Sequence, residues 1–361
     1  MLTRRAFLPL LAAPFAGAAP LAKHVVLFTS DGVRWQDLFT GIDPKLMGQK
    51  QAGMGDARAL EKALWFPDPV QRREALMPFF WKTLAPTGIV LGNLRKGSSL
   101  QVSNRYRVSY PGYSEILTGR TQDDVIRGND SIQNPTPSFL QFLKRKQNLR
   151  SEQVAVFASW DNFHYSAENK RGDLYINAGY EKSRLPADSP WTNELNTLQF
   201  DARFIEDNAR HDAFTFELAL EYLQKVQPEH LFLSFDETDD WAHDHRYDRV
   251  LESLQYFDRS LERLWSFLQS SPKYANSTLL VLTTDHGRGG ALADFSDHGP
   301  DVAGDQQIWA AFFGPGIAGE GEAHNTAPAY QRDIAPTILQ LLGFDYREYQ
   351  GLQGRPISGI P

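Results

Sequence analysis

His24-Val-Val-Leu-Phe-Thr-Ser-Asp31-Gly32 opens the organised part of the chain. A short apolar run that ends in Asp-Gly predicts a buried strand stopping at a loop. The pattern recurs twice. His230-Leu-Phe-Leu-Ser-Phe235 runs into the acidic cluster Asp236 to Asp240, and Leu279-Leu-Val-Leu-Thr283 runs into Thr284-Asp285-His286-Gly287. Further strands are predicted at 87–92, 154–158 and 308–313. Helices are predicted at 71–84, 113–118, 138–146, 206–226, 247–268 and 333–342. Strands alternate with helices at βαβ spacing, so the expected fold class is α/β, a three-layer α/β/α sandwich around a mostly parallel central sheet. In such sheets ligands gather beyond the C-terminal ends of the strands, where Asp31, Asp239, His243, Asp285 and His286 all fall.

The chain has 361 residues, a formal charge of -7 and no cysteine. That length suffices for a large core. Without cysteine there is neither a disulfide nor a thiolate nucleophile or ligand. The acidic balance argues against binding a nucleic-acid duplex, whose phosphates demand a basic surface. Residues 1–20 read as an export signal of the twin-arginine type: Arg4 and Arg5, an apolar stretch from Phe7 to about Phe15, then small residues. This implies a periplasmic or secreted protein. Pro9 and Pro14 break the apolar run, which is too short for a transmembrane anchor. Residues 21–361 are expected to form a single catalytic domain, with insertions near 40–80 and 160–205, the second being lid-like.

Seven residues carry the chemistry: Asp31, Ser109, Asp239, His243, Asp285, His286 and His298. Their carboxylates, imidazoles and one hydroxyl are the inventory for two adjacent divalent metals and an activated nucleophile. Asp31 alone would pass for a turn former, and His298 for a solvated loop residue with Asp294 and Asp297 as competing ligands. Asp239 and His243 stand four apart, which on a helical turn places both on one face. Crowding acids and histidines along 239–245 is costly without a cation. No phosphate-binding Gly-rich loop, His-Glu-x-x-His or Gly-x-Ser-x-Gly elbow is present.

The order of these motifs resembles the alkaline phosphatase superfamily, most closely its nucleotide pyrophosphatase/phosphodiesterase-like and phosphoglyceromutase-like branches. Ser109-Tyr-Pro-Gly-Tyr-Ser-Glu-Ile-Leu-Thr-Gly119 matches the nucleophile segment, Asp239-Asp-Trp-Ala-His243 matches Asp-x-x-Gly-His with Ala242 for Gly, and Asp285-His-Gly287 follows. His298 precedes a strand ending in Gly314-Pro-Gly316, and Asp333-Ile-Ala-Pro-Thr337 completes the series. The resemblance spans about residues 24 to 345. It departs at Gly112-Tyr113, where the phosphodiesterases carry Asn-His. The sulfatase signature Cys/Ser-x-Pro-x-Arg also fails, because Tyr113 stands where Arg is required.

The resemblance implies an alkaline phosphatase-like fold and two divalent metal ions, with Zn2+ the natural guess and Mn2+ an alternative. Asp31, Ser109, Asp285 and His286 would hold one ion, and Asp239, His243 and His298 the other. Ser109 would act as nucleophile on a small phosphate-ester substrate, through a phosphoserine. Asn129 would contact the phosphoryl group, with Asp130 and Asn134 as competitors. Trp160, Tyr165 and Tyr175 are candidates to line a slot for an ester group. Alternatives are a phosphomutase or phosphotransferase, a sulfatase-like hydrolase, and a secreted binding protein without catalysis. Oligomeric state is not encoded in any of these features.

Overall fold

The computed structural model describes residues 22–361; the expected export signal lies outside the described residues. Eleven strands are present among the described residues: β1 His24–Ser30, β2 Ile89–Leu91, β3 Leu100–Gln101, β4 Val154–Ala158, β5 Tyr175–Ala178, β6 His230–Phe235, β7 Thr278–Thr283, β8 Gln307–Ile308, β9 Ala310–Phe313, β10 Gly321–Glu322 and β11 Ala329–Tyr330. Eight form one sheet in the order β10-β2-β9-β7-β1-β6-β4-β5, and β11-β3-β8 make a small second sheet. In the large sheet only β9 runs against its neighbours.

Side-chain alternation along β1 explains the layering. Val26 and Phe28 point to one face and Val25 and Leu27 to the other, each into its own apolar core. Helices α1 Trp35–Thr40, α2 Arg58–Leu64, α3 Pro69–Leu76, α8 Asp212–Lys225 and α10 Tyr247–Ser270 cover the first face. Helices α4 Ser109–Thr118, α5 Phe139–Lys146, α6 Phe163–Ser166 and α11 Ile334–Leu341 cover the second. This is the expected α/β/α sandwich. Ser138 caps α5 in a reciprocal box with Gln141, which fixes where that helix begins.

Three expectations change. The nucleophile segment is helical from Ser109 itself, not from 113. Pro111 sits in the first turn, where a missing N–H costs nothing because those donors have no helical partner. The 160–205 stretch is not purely irregular: it contains β5, the edge strand of the large sheet, and α7 Pro190–Asp201. The predicted strand 308–313 is split at Trp309, with Ile308 in the small sheet and Ala310 onward in the large one.

Register builds the site. Thr29 lies opposite Thr283 on β7, and Ser30 opposite Phe235 on β6. Asp31, Asp236 and Asp285 therefore leave three adjacent parallel strands at one level. The Asp31 N–H donates to the Phe235 carbonyl (3.0 Å), extending this alignment by one residue. Helix α9, Glu237–His243, then carries Asp239 and His243 back over the strand ends.

Candidate metal centre

All seven predicted residues converge there. Asp31, Asp285 and His286 form an inner group, each 0% exposed. The His286 Nε2 lies 3.3 Å from Asp31 Oδ1 and 3.4 Å from Asp285 Oδ2. It is also 3.6 Å from Asp239 Oδ1, so it stands between this group and the outer one. In the outer group His243 Nε2 is 3.2 Å from Asp239 Oδ2 and 3.0 Å from His298 Nε2. The His286 and His298 rings stack with centroids 3.8 Å apart. Potential ligand atoms cluster as Asp31–Asp285–His286 and Asp239–His286–His298, with His243 at the outer margin. His286 Nε2 thus lies within reach of both groups, the inner one being that to which the resemblance assigns it.

The donor set fits cations. Both Asp31 oxygens and Asp285 Oδ2 are buried without a hydrogen-bond partner. Burying an uncompensated carboxylate costs several kcal/mol, so such atoms call for a positive partner. The histidines are oriented for ligation: His286 Nδ1 donates to the Gly287 carbonyl (2.9 Å) and His298 Nδ1 to the Arg107 carbonyl (3.0 Å). Each bond leaves the Nε2 lone pair facing the cluster. The titration behaviour reflects the same crowding. Burial and the adjacent Asp31 push the Asp285 carboxyl well up. Asp285 and Asp31 lift His286 to about 9 despite its burial. Burial and the neighbouring His286 drive His298 and His243 down.

Ser109 opens α4 with its Oγ 3.5 Å from His286 Nε2. A negative charge on that oxygen would face the positive end of the helix. Gly112 lets α4 approach, because a side chain there would collide with the Asp285 carbonyl. Gly32 has φ +60° and presses against Asp239 and Arg288, so its site needs both the left-handed backbone and the missing Cβ.

Asn129 accepts from the Tyr110 N–H through Oδ1 (2.9 Å), leaving its amide NH2 toward the cavity above Ser109. The competitors lie elsewhere: Asn134 is buried between Gln122 and Ser166, and Asp130 is exposed. Asp294 accepts from the Ala291 N–H and Asp297 belongs to neither ligand cluster. Of the three aromatic candidates, Trp160 lines the cavity. Tyr175 is bonded to Ser183, and Tyr165 does not line the cavity.

Several supporting residues escaped sequence reading. Buried Arg288 pairs with Asp239 and bonds the Ser296 carbonyl, fastening the outer loop. Asp305 accepts from the Gly299 N–H (2.6 Å) and pairs with Arg107 (3.0 Å), which places the carbonyl that orients His298. Glu115 accepts from the Ser103 and Asn104 N–H groups and braces the segment before Ser109. Arg288 follows Asp285-His-Gly287 directly, the one available signal; Asp305 and Glu115 carry none.

The cavity holds about 390 Å³, with Ser109, Asp239, His243 and His298 at its floor. Its wall comes from the loop after β4, from residues 206 and 208, and from the start of α9. Neither lysine nor arginine lines it.

Comparison with known proteins follows the same lines. The family model described as Sulfatase matches residues 100–344. Among solved structures, the wild-type alkaline phosphatase PafA is 14% identical with a TM-score of 0.62, over 95% of this chain and 99% of that one. A phosphonate monoester hydrolase from Silicibacter pomeroyi is 15% identical with a TM-score of 0.52, over 92% of this chain and 75% of that one. A 2-O GAG sulfatase is 13% identical with a TM-score of 0.55, over 93% of this chain and 73% of that one. Among curated proteins, no sequence matches. The fold is that shared by alkaline phosphatases and sulfatases. With its two ligand clusters the chain is a metal-dependent hydrolase of that superfamily.

Proposed function

We propose a phosphodiesterase activity for this chain, which belongs to the sulfatase family. The observation that carries the reading is Ser109 at the helix start, 3.5 Å from His286 and beside three buried carboxylate oxygens of Asp31 and Asp285 that lack hydrogen-bond partners. Asp31, Asp285 and His286 would hold one divalent cation, and Asp239, His243 and His298 the other, with Zn2+ or Mn2+ suited to the mixed ligands. Once bound, the cations supply the charge that keeps the serine oxygen ionised and offsets charge on the phosphoryl oxygens.

The chain's own groups do the rest. Ser109 Oγ attacks phosphorus, its new P–O bond forming as the bond to the leaving alcohol breaks; that alcohol oxygen takes a proton from water. The amide NH2 of Asn129 donates to a phosphoryl oxygen and orients it. Water then attacks this serine-bound ester, which still carries the second alcohol; its proton neutralises the hydroxide left by the first step, the P–O bond to Ser109 breaks, and a phosphate monoester leaves. A monoester substrate would bring a further charged oxygen, for which the lining offers no lysine or arginine. A diester carries one negative charge and fits better.

Sulfate-ester hydrolysis is the second reading, favoured by the description of the matched family. Against it, the position that should hold the signature arginine is Tyr113. Tyr113 is buried, bonded to Ser234 (3.1 Å) and packed on Phe163 at 4.7 Å. A panel of p-nitrophenyl diester, monoester and sulfate substrates, run on chelated enzyme restored with zinc or manganese, separates the readings. The expected order places the diester first; sulfate turnover as the fastest would replace this reading with the second. Transfer to an added alcohol in the same assay would mark a phosphotransferase. We also propose export through the Arg4-Arg5 segment, testable by cell fractionation of a variant carrying lysines at both positions.

A further inference from the structure

We infer that Asn162 is a positioning residue for the reaction: it holds the Asn129 peptide, and through it the amide that meets the transferred group. The inference rests on the role given to Asn129 above and names the side chain that keeps it in place. Asn129 lies in a largely exposed segment, 127–132, that belongs to no helix or strand. Regular secondary structure therefore does not fix it. Among the described residues, no backbone group bonds its carbonyl. Two other bonds hold the residue. Its Oδ1 accepts from the Tyr110 N–H beside Ser109 (2.9 Å), and its carbonyl accepts from the Asn162 amide NH2 (3.0 Å). A carbonyl can only accept, so the NH2 of Asn162 must be the end that faces it.

Asn162 is itself firmly held. It is 2% exposed and stands between β4 and α6. The Asp161 N–H before it donates to the Asn208 carbonyl (2.9 Å). Phe163 after it packs on Tyr113 of α4 and Phe232 of β6, with ring centroids 4.7 and 5.4 Å away. Within α6 the Tyr165 carbonyl accepts from the Asn134 N–H (3.0 Å), a further tie to the chain that follows Asn129. The central sheet thus reaches Asn129 through a buried side chain. With so little of its surface open, Asn162 acts on the substrate through Asn129 and not by contact. Misplacing a group at the reacting centre by about 1 Å costs up to about a hundredfold in rate. Without Asn162 the Tyr110 bond remains as an anchor, so the expected loss is smaller.

The test is a double-mutant cycle on the metal-loaded enzyme, run with whichever ester of the panel above turns over fastest. Asn129→Ala should lower kcat/KM by about a hundredfold, as loss of one donor to a developing oxyanion does. Asn162→Ala should lower it about tenfold, with metal content unchanged by elemental analysis. Placed in the Asn129→Ala background, Asn162→Ala should cost nothing further, because the residue it positions is gone. Asn162→Asp keeps the shape of the side chain without its NH2, and should repeat both results without a packing defect. A residue that merely supported the fold would slow both backgrounds alike. Equal losses in the two backgrounds therefore overturn the inference, as does an unchanged rate in Asn162→Ala. Non-additivity with a sulfate ester as the fastest substrate would overturn the phosphodiester reading and leave the inference standing. A wild-type rate in Asn129→Ala would remove the role of Asn129 and the inference together.

Discussion

The inner and outer halves of the metal centre are built differently. The inner half, Asp31 with Asp285 and His286, grows directly from the ends of β1 and β7 and is wholly buried. The outer half rests on the short helix α9 and on the loop carrying His298, and the His243 side chain is 47% exposed. Paired strands hold the first at fixed register. The second depends on side-chain clamps from Arg288, Asp305 and Arg107. Rigidity comes from the sheet and adjustability from the loops, a division common in α/β enzymes.

The largest expected effect lies where the halves meet. Ser109→Ala should lower kcat by at least about a thousandfold, as loss of a nucleophile does, with metal content unchanged by elemental analysis. A rate near wild type would remove Ser109 from the mechanism. Next comes the inner half. Asp285→Asn should lose one of two bound ions even at high metal concentration, since the buried site has no replacement ligand. His243→Ala should be milder: a 10- to 100-fold loss of affinity, about the range expected for a peripheral ligand or its support, with activity recovered in excess metal. If His243→Ala proved as damaging as Asp285→Asn, the two halves would not differ as described.

Metal removal should expose the inner half through pH. His286 is lifted to about 9, so in the chelated protein it stays protonated above the usual histidine range. The folded state then binds more protons than the unfolded one between about pH 7 and 8.5, and its stability falls as pH rises. His243 and His298, whose values are lowered, are neutral in the folded state and mostly so in the unfolded one, so they oppose the trend only near pH 7. One such proton changes stability by at most about 1.4 kcal/mol per pH unit. Chelated protein should therefore melt several degrees lower at pH 8.5 than at pH 7, and metal-loaded protein should not. A flat profile in both forms would show that His286 is not held charged by its carboxylates.

The smallest effect is expected at Asp305. Asp305→Asn should loosen the segment that orients His298 and weaken outer-ion affinity by about tenfold, with the inner ion untouched. Loss of both ions would mean that the clamp supports the whole centre.

The same contrast explains what was legible in the sequence. β1, β6 and β7 are continuous apolar runs that end at acids, and for β1 and β7 those acids are the ligands Asp31 and Asp285. Asp239 and His243 were readable from their helical spacing. The start of α4 was not, because Pro111 and Gly112 look like breakers; their tolerance depends on the first-turn position and on the Asp285 carbonyl packed behind. The sheet edge was hidden too. β5 has four residues at a sheet edge, too short to show alternation.

Anomalous diffraction from crystals grown with zinc or manganese addresses the central claim most directly. Two peaks are predicted, one among Asp31, Asp285 and His286 and the other among Asp239, His243 and His298. A single peak, or peaks away from these side chains, would contradict a two-metal centre assembled by the three parallel strands.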